Sequence, residues 1–131
     1  MTLTSLIASA IITLVPLGGQ LWDPSEICGW DTWATYIDGK IYVCNTDDVE
    51  FRKSHEIGHY FWDKFMTDKQ KELYKIEYDK AKKLWIRAFY RDYGLSDMEE
   101  DFCDNLALYA TKENSNPFVM KRIRLIKSFL K

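Results

Sequence analysis

The chain has 131 residues, which is the length of one domain and leaves little room for a second. Hydrophobic residues make up 47% of it and charged residues 29%, a balance that is typical of a folded globule and excludes a disordered chain. The net charge of −2, without a basic tract beside stackable aromatic residues, argues against a nucleic-acid partner.

The first segment of the chain, LTSLIASAIITLVPL, is apolar but covers only residues 3–17. A helix that spans a membrane needs about 20 such residues, so no membrane span is expected. The segment also lacks the basic start and the small-residue cleavage site of a signal peptide. We predict that it is a buried first element, helical or partly strand, of a cytoplasmic protein, with secretion as the alternative.

The three cysteines of the chain, Cys28, Cys44 and Cys103, form no CxxC pair. A zinc or redox site built on cysteines is therefore not expected. Two interpretations remain, namely reduced thiols that pack as small apolar groups and a disulfide between Cys28 and Cys44. The reduced thiols are favoured, in keeping with a cytoplasmic protein.

A β-hairpin is predicted from WATYIDGKIYVC, residues 33–44, in which two β-rich runs flank Asp38-Gly39. This pair favours the type I′ turn of a tight hairpin. A helix follows, for which Asp47 or Asp48 can serve as the N-terminal cap and which ends near Met66.

Three more helices are predicted from their start signals. Thr67 and Gln70 form a capping box, a reciprocal pair of hydrogen bonds, that opens a long helix to about Tyr93. Ser96 and Glu99 repeat this device, and Asn116-Pro117 starts the last helix. The sequence therefore predicts one α+β domain, residues 1–131, with a β region at 1–45, a helical part at 46–112 and a C-terminal helix at 116–131.

Both histidines of the chain lie in HEIGH, residues 55–59, within the first long helix. Two histidines placed four apart around a glutamate arise by chance in about one of a thousand such chains. On a helix, His55 and His59 project from one face, where their ring nitrogens can bind one Zn²⁺. Glu56 lies about 100° around the helix, where its carboxylate can act as a general base toward water.

A catalytic zinc ion needs a third protein ligand, and because no histidine remains to supply it, the donor must be a carboxylate or a cysteine. The densest acidic cluster is DMEEDFCD, residues 97–104, at the start of the third helix. Glu99 and Glu100 lie on or near its apolar stripe, where an acid is costly unless it binds a cation. We predict Glu100 as the ligand because Glu99 is the capping partner of Ser96, and Glu99 stays the alternative.

Of four neighbouring residues, two receive supporting roles in this hypothesis and two do not. Asp104 is predicted to accept the ring N–H of a ligating histidine and so to fix its tautomer. Gly58 is predicted to allow close packing around the histidine helix. Asp101 and Asp63 are predicted to be solvated acids.

These motifs resemble those of gluzincins, zinc peptidases that combine HExxH with a glutamate on a later helix. The closest likeness is to lethal-factor-type catalytic domains and the small minigluzincins. The matching stretches are HEIGH and EDFCDNLALY, residues 100–109, against a pattern close to E-D-F-A-E-x-F-A-L-Y, from which Cys103 and Asp104 depart. The resemblance covers residues 36–110 and implies a zincin-like α+β fold and a zinc-dependent endopeptidase.

The resemblance also implies roles outside the metal ligands. Tyr93, seven residues before Glu100, corresponds to a tyrosine that stabilises the oxyanion of the reaction, with Tyr90 as its rival. An extended peptide or protein substrate would pair with an edge strand above the zinc, which the hairpin at 36–43 can provide.

Two other functions stay open. One is a latent or highly selective regulatory zinc peptidase, whose basic and apolar C-terminal segment covers the cleft or mediates self-association. The other is a metal-free helical binding module in which the histidines are incidental, although Glu56 has no use in such a module.

Overall fold

The computed structural model describes residues 2–15, 34–44, 49–111 and 116–130. Within these ranges the chain is mostly helical and has one three-stranded sheet, in agreement with the predicted α+β class. The elements are α1 (Leu3–Ser9), β1 (Ile11–Val15), β2 (Ala34–Ile37), β3 (Lys40–Cys44), α2 (Val49–Lys64), α3 (Asp68–Lys83), a 3-10 turn (Trp85–Ala88), α4 (Asp92–Ser96), α5 (Met98–Thr111) and α6 (Met120–Phe129). The first apolar segment is partly helix and partly strand, as predicted, whereas α4 was missed because a helix of 5 residues is too short for a periodic signal.

The sheet confirms the hairpin that the sequence predicts. β2 and β3 pair antiparallel around Asp38 and Gly39, whose φ values of 50° and 77° suit a type I′ turn. β1 joins β3 in parallel, so β3 is the central strand of the order β1-β3-β2. The first apolar segment therefore supplies both a helix and a strand, and Leu6 of α1 is fully buried.

Helices α2 and α5 form the centre of the helical part. Phe61 of α2 stacks on Phe102 of α5 with ring centroids 6.0 Å apart. Gly58 marks the closest approach, because a Cβ atom at this position would lie 2.8 Å from Cα of Cys103. The predicted role of Gly58 in close packing is confirmed.

We expect Gly58→Ala to lower the free energy of unfolding by about 1–3 kcal/mol, although alanine is the better helix former. The added methyl group would also meet Sγ of Cys103 at 2.9 Å, so α2 and α5 must move apart. Urea unfolding followed by circular dichroism measures the change. Lys69→Ala, on the exposed side of α3, is the control and should stay within about 0.5 kcal/mol of the unmodified protein. An unchanged stability of Gly58→Ala would contradict the close contact.

The helix that was expected to reach Tyr93 ends at Lys83. Trp85 has a φ of 64°, a left-handed conformation that stops α3, and the chain continues through the 3-10 turn to α4. Ala88 and Phe89 are buried beyond the break. Apolar residues therefore continue past the end of the helix, and their pattern does not reveal where it stops.

One of the two predicted capping boxes in the described ranges is present. Thr67 and Gln70 exchange hydrogen bonds at the start of α3 as expected. At α5 the cap is Asp97, whose Oδ1 accepts the backbone N–H of Glu99 at 2.9 Å. The hydroxyl of Ser96 instead donates to a backbone carbonyl oxygen of α4, so the Ser96–Glu99 box is wrong.

A buried polar network behind the first turn of α5 corrects the prediction for Asp101. Asp101 is 1% exposed and forms an ion pair with Arg122 of α6, with Oδ2 3.0 Å from Nε. The Tyr74 hydroxyl donates to the same oxygen at 2.6 Å, and Asn105 donates to that hydroxyl. Burial raises the pKa of Asp101 to about 6, against the opposing effects of Arg122 and Tyr74. The prediction of a solvated acid is wrong because its counter-charge comes from a distant helix.

The C-terminal helix α6 completes the core. Ile126 is fully buried in the main cluster with Leu130, and Ile123 packs in a second cluster with Phe51 of α2. The predicted start at Asn116-Pro117 is a turn, and the helix itself begins at Met120.

The membrane and cysteine predictions are tested in part. Nowhere in the described ranges does a helix combine the length and apolar character needed to cross a bilayer. Cys44 is disulfide-bonded, whereas Cys103 is a buried free thiol, so the expectation of reduced thiols is wrong for Cys44. Cys28 and the predicted caps Asp47 and Asp48 lie outside the described residues.

Candidate metal centre

Two helices bring the predicted site residues together. α2 carries His55, Glu56 and His59 at its centre, and the first two turns of α5 carry three facing acids. The two imidazole rings lie edge to face with centroids 5.1 Å apart, as expected for one side of a helix. Because Gly58 lets the helices touch, the acids of α5 reach both rings.

Glu100 spans the two histidines. Its Oε2 lies 2.9 Å from Nε2 of His55, and its Oε1 lies 3.0 Å from Nε2 of His59. Two imidazole nitrogens and one carboxylate are a donor set that catalytic zinc sites use. Tetrahedral ligands at 2.0–2.1 Å from zinc stand about 3.4 Å apart, so the observed distances need little adjustment to fit an ion.

The other ring nitrogen of each histidine is also held by a carboxylate. Oδ1 of Asp104 lies 2.8 Å from Nδ1 of His55, and Oε2 of Glu99 lies 2.5 Å from Nδ1 of His59. A carboxylate in this position fixes the tautomer and orientation of the ring and leaves Nε2 for a metal ion. Asp104 thus contacts the histidine as the sequence predicts, whereas Glu99, the alternative ligand, holds His59 from the far side.

Arg91 holds Asp104 in turn. Its Nε and Nη2 donate to Oδ2 and Oδ1 of Asp104 at 2.8 and 2.9 Å, a bidentate pair. Asp104 is almost fully buried, so its carboxylate is fixed between the guanidinium and His55. Sequence reasoning missed Arg91, which belongs to no motif and lies in a segment that was predicted to be helical.

The charges of the site compensate one another. Burial acts to lower the pKa of His55, but hydrogen bonds to Asp104 and Glu100 outweigh it and raise this pKa above its ordinary value. Hydrogen bonds likewise outweigh burial and raise the pKa of His59. Burial acts to raise the pKa of Glu100, and its hydrogen bonds to the two histidines lower it below the usual range. The surrounding carboxylates therefore favour positive charge on the imidazoles, in the form of protons that a metal ion would have to displace to bind Nε2.

Glu56 is buried beside the histidines and lines the same cleft. Burial raises the pKa of Glu56, while the neighbouring His55 and His59 act to lower it. A partly desolvated carboxylate is a stronger base than one in water, which suits a group that must take a proton.

The site opens into a cleft of about 770 Å³. Ala34, Thr35 and Tyr36 of β2 line it, and β2 is an edge strand among the described strands. The Tyr36 hydroxyl donates to Oδ2 of Asp63 at 2.6 Å and so ties the strand to the end of α2. Asp63 is exposed, as predicted.

Tyr93 and Arg52 also line the cleft. The rival of Tyr93, Tyr90, packs its ring against Phe51 with centroids 4.9 Å apart and is not one of the described residues that line the cleft. Arg52 was missed, although its position one turn before Glu56 puts it on the same side of α2.

Cys103 belongs to a second group of donors. The ligand atoms of His55, His59 and Cys103 lie within 4.8 Å of one another. Cys103 is fully buried, and burial raises the pKa of its thiol, so the thiolate that binds metals is disfavoured. In spite of burial, the hydrogen bonds to the two histidines lower the pKa of Glu100, which favours its carboxylate form, and Glu100 lines the cleft. Of the two, Glu100 therefore has the charge and the position in the cleft that suit a third ligand better.

No protein-family model, curated protein or solved structure matches the chain. The function is therefore inferred from the geometry and chemistry of the site.

Proposed function

We propose that the protein is a zinc-dependent endopeptidase in which His55, His59 and Glu100 hold the metal. The observation that carries this proposal is the convergence of the chain's two histidines on one partly buried glutamate through Nε2, with both Nδ1 atoms held by further acids. A surface pair of histidines would have no need of such an arrangement. The resemblance to gluzincins agrees with it.

The residues around the ligands would have separate roles in peptide hydrolysis. A bound zinc ion would act as a Lewis acid toward the scissile carbonyl group and a water molecule. Glu56 would accept a proton from that water and pass it to the leaving amine. Tyr93, which lines the cleft, would donate its phenolic hydrogen to the developing oxyanion.

The cleft wall formed by β2 suits an extended substrate. A peptide lying along an edge strand gains backbone hydrogen bonds that do not depend on its sequence. Thr35 and Tyr36 are on this wall, and the Tyr36–Asp63 hydrogen bond holds it next to α2. We infer that a peptide or protein substrate binds here in extended form.

Zinc content tests the metal site directly. We expect about one zinc per chain after equilibration in a zinc buffer, and a loss of at least tenfold in affinity in His55→Ala, His59→Ala and Glu100→Ala. Cys103→Ala and Glu99→Ala are the matched controls and should still bind zinc, the latter more weakly because Glu99 only supports His59. Mass spectrometry of metals in the dialysed proteins gives the numbers. If Cys103→Ala abolishes zinc binding and Glu100→Ala does not, the third ligand is the thiol. If none of the five variants changes the zinc content, the site does not bind zinc.

The latent alternative receives no support from the described residues. None of residues 116–130 lines the cleft, and the helix they contain packs into the core. Cleavage of an unfolded protein such as casein by the full chain, with its loss on adding a chelator, would distinguish an active enzyme from a latent one and from a metal-free binding module.

A further inference from the structure

A surface with an excess of positive charge lies at the end of α3 and on α6. Residues 80–91 and 116–130 contain no aspartate or glutamate, although the whole chain carries a net charge of −2. The two stretches are neighbours, because the Asn116 side chain donates to the carbonyl oxygen of Arg87 at 3.0 Å. Their cations are Lys80, Lys82, Lys83, Arg87, Arg91, Lys121, Arg122, Arg124 and Lys127.

Not all of these cations are available to a partner. Arg91 and Arg122 are paired internally with Asp104 and Asp101, and Lys80 and Lys121 both pair with Glu77 of α3. Lys82, Lys83, Arg87, Arg124 and Lys127 are exposed. Positive charge therefore remains on the outside of both stretches.

Large apolar side chains stand among these cations. Trp85 is 65% exposed, Ile86 51% and Phe118 46%, and Leu84 is exposed as well. Together with the exposed cations, these four residues form what we term the basic-apolar surface. Trp85 is the most exposed large apolar residue in the described ranges, so the surface presents its apolar groups outward rather than folding them away.

The backbone conformation of Trp85 is a second, independent indication that this residue has a role in binding. Trp85 has a φ of 64°, a conformation that a bulky residue adopts only at an energetic cost. Glycine would fill this position without strain. A tryptophan that is both exposed and strained gives nothing to the stability of the fold, which points to a role in binding.

We propose that the basic-apolar surface binds the surface of an anionic membrane. Tryptophan is favoured at the boundary between headgroups and acyl chains, and lysine and arginine are attracted to anionic lipids. Nucleic acid would match the charge but offers no apolar phase for Ile86 and Leu84. This association is peripheral, and it does not depend on the proposed peptidase activity.

Vesicle co-sedimentation of the full chain tests the proposal. The vesicles are phosphatidylcholine alone and phosphatidylcholine mixed with phosphatidylserine, and we expect binding to the mixed vesicles only. Trp85→Gly and the double variant Lys82→Glu/Lys83→Glu should each weaken this binding about tenfold. Trp85→Gly should not lower the thermal midpoint, because glycine relieves the left-handed conformation, so its loss of binding is not a loss of fold.

Matched controls distinguish binding through the basic-apolar surface from a general effect of the protein's net charge. Lys40→Glu/Lys69→Glu makes the same charge change at exposed positions on β3 and at the other end of α3 and should bind as the unmodified protein does. Ile86→Ser replaces a second apolar residue of this surface and should also weaken binding to the mixed vesicles. The proposal is overturned if phosphatidylserine adds no binding, if Trp85→Gly and Ile86→Ser bind normally, or if the control pair loses as much as Lys82→Glu/Lys83→Glu.

Discussion

Glu56→Gln should lower the rate of peptide cleavage by a factor of about 10² to 10⁴ and leave the zinc content unchanged. The amide has nearly the shape of the carboxylate but cannot accept the proton of the attacking water. Glu56 is buried in the cleft beside both histidines, and burial raises its pKa, so it is suited to hold the proton between its two transfers. The side chain is not among the groups that bridge the histidines to α5, so its replacement should spare the ligands.

The measurement pairs two readouts on the same protein samples. Cleavage of a fluorogenic peptide mixture gives the rate, and metal analysis gives the zinc bound per chain. Glu99→Gln is the matched control, because it makes the same chemical change in an acid that lines the cleft but contacts only the outer nitrogen of His59. A Glu56→Gln protein that binds zinc and cleaves at the full rate would remove Glu56 from the mechanism, while the metal site would stand.

Much of the candidate site could be predicted because it depends on local spacing. His55 and His59 share a face of any helix that contains both, and Asp104 follows Glu100 by one helical turn. Close contact between α2 and α5 could be expected from Gly58, since a glycine between two histidines has no local reason to be there. The choice of Glu100 over Glu99 was less certain, and the cap at Asp97 shows why. Once the cap is a different residue, Glu99 is free to contact His59.

The rest of the site depends on contacts that are distant in sequence. Arg91 reaches Asp104 only because α3 ends at Lys83 and the chain turns back toward α5. That turn depends on the left-handed conformation of Trp85, a residue whose sequence preference gives no hint of it. Hydrophobic periodicity reports which residues are buried and not which helix covers them. For the same reason the partner of Asp101 could not be foreseen.

A buried ion pair joins the C-terminal helix to the site, and its removal should have the largest effect on stability. Arg122 is 2% exposed and Asp101 is 1% exposed, so neither charge can be solvated if the other is lost. Breaking such a pair from one side costs about 3–5 kcal/mol. Since a domain of this size is stable by only about 5–15 kcal/mol, Arg122→Met should lose a large part of its free energy of unfolding.

Urea unfolding of three variants separates the charge from the packing. Arg124→Met makes the same replacement at an exposed position of α6 and should change the free energy of unfolding by no more than about 0.5 kcal/mol. Arg122→Met/Asp101→Asn also removes the unpaired buried carboxylate of Asp101. It should recover part of the lost free energy of unfolding, because a neutral amide is less costly to bury than a carboxylate. If the double variant is as unstable as Arg122→Met, the loss comes from the guanidinium's contacts with backbone carbonyl oxygens such as that of Ala88. If Arg122→Met is no less stable than Arg124→Met, the ion pair does not anchor α5. Because Asp101 directly follows Glu100, an anchor at this point would also hold the Glu100 carboxylate against the two histidines.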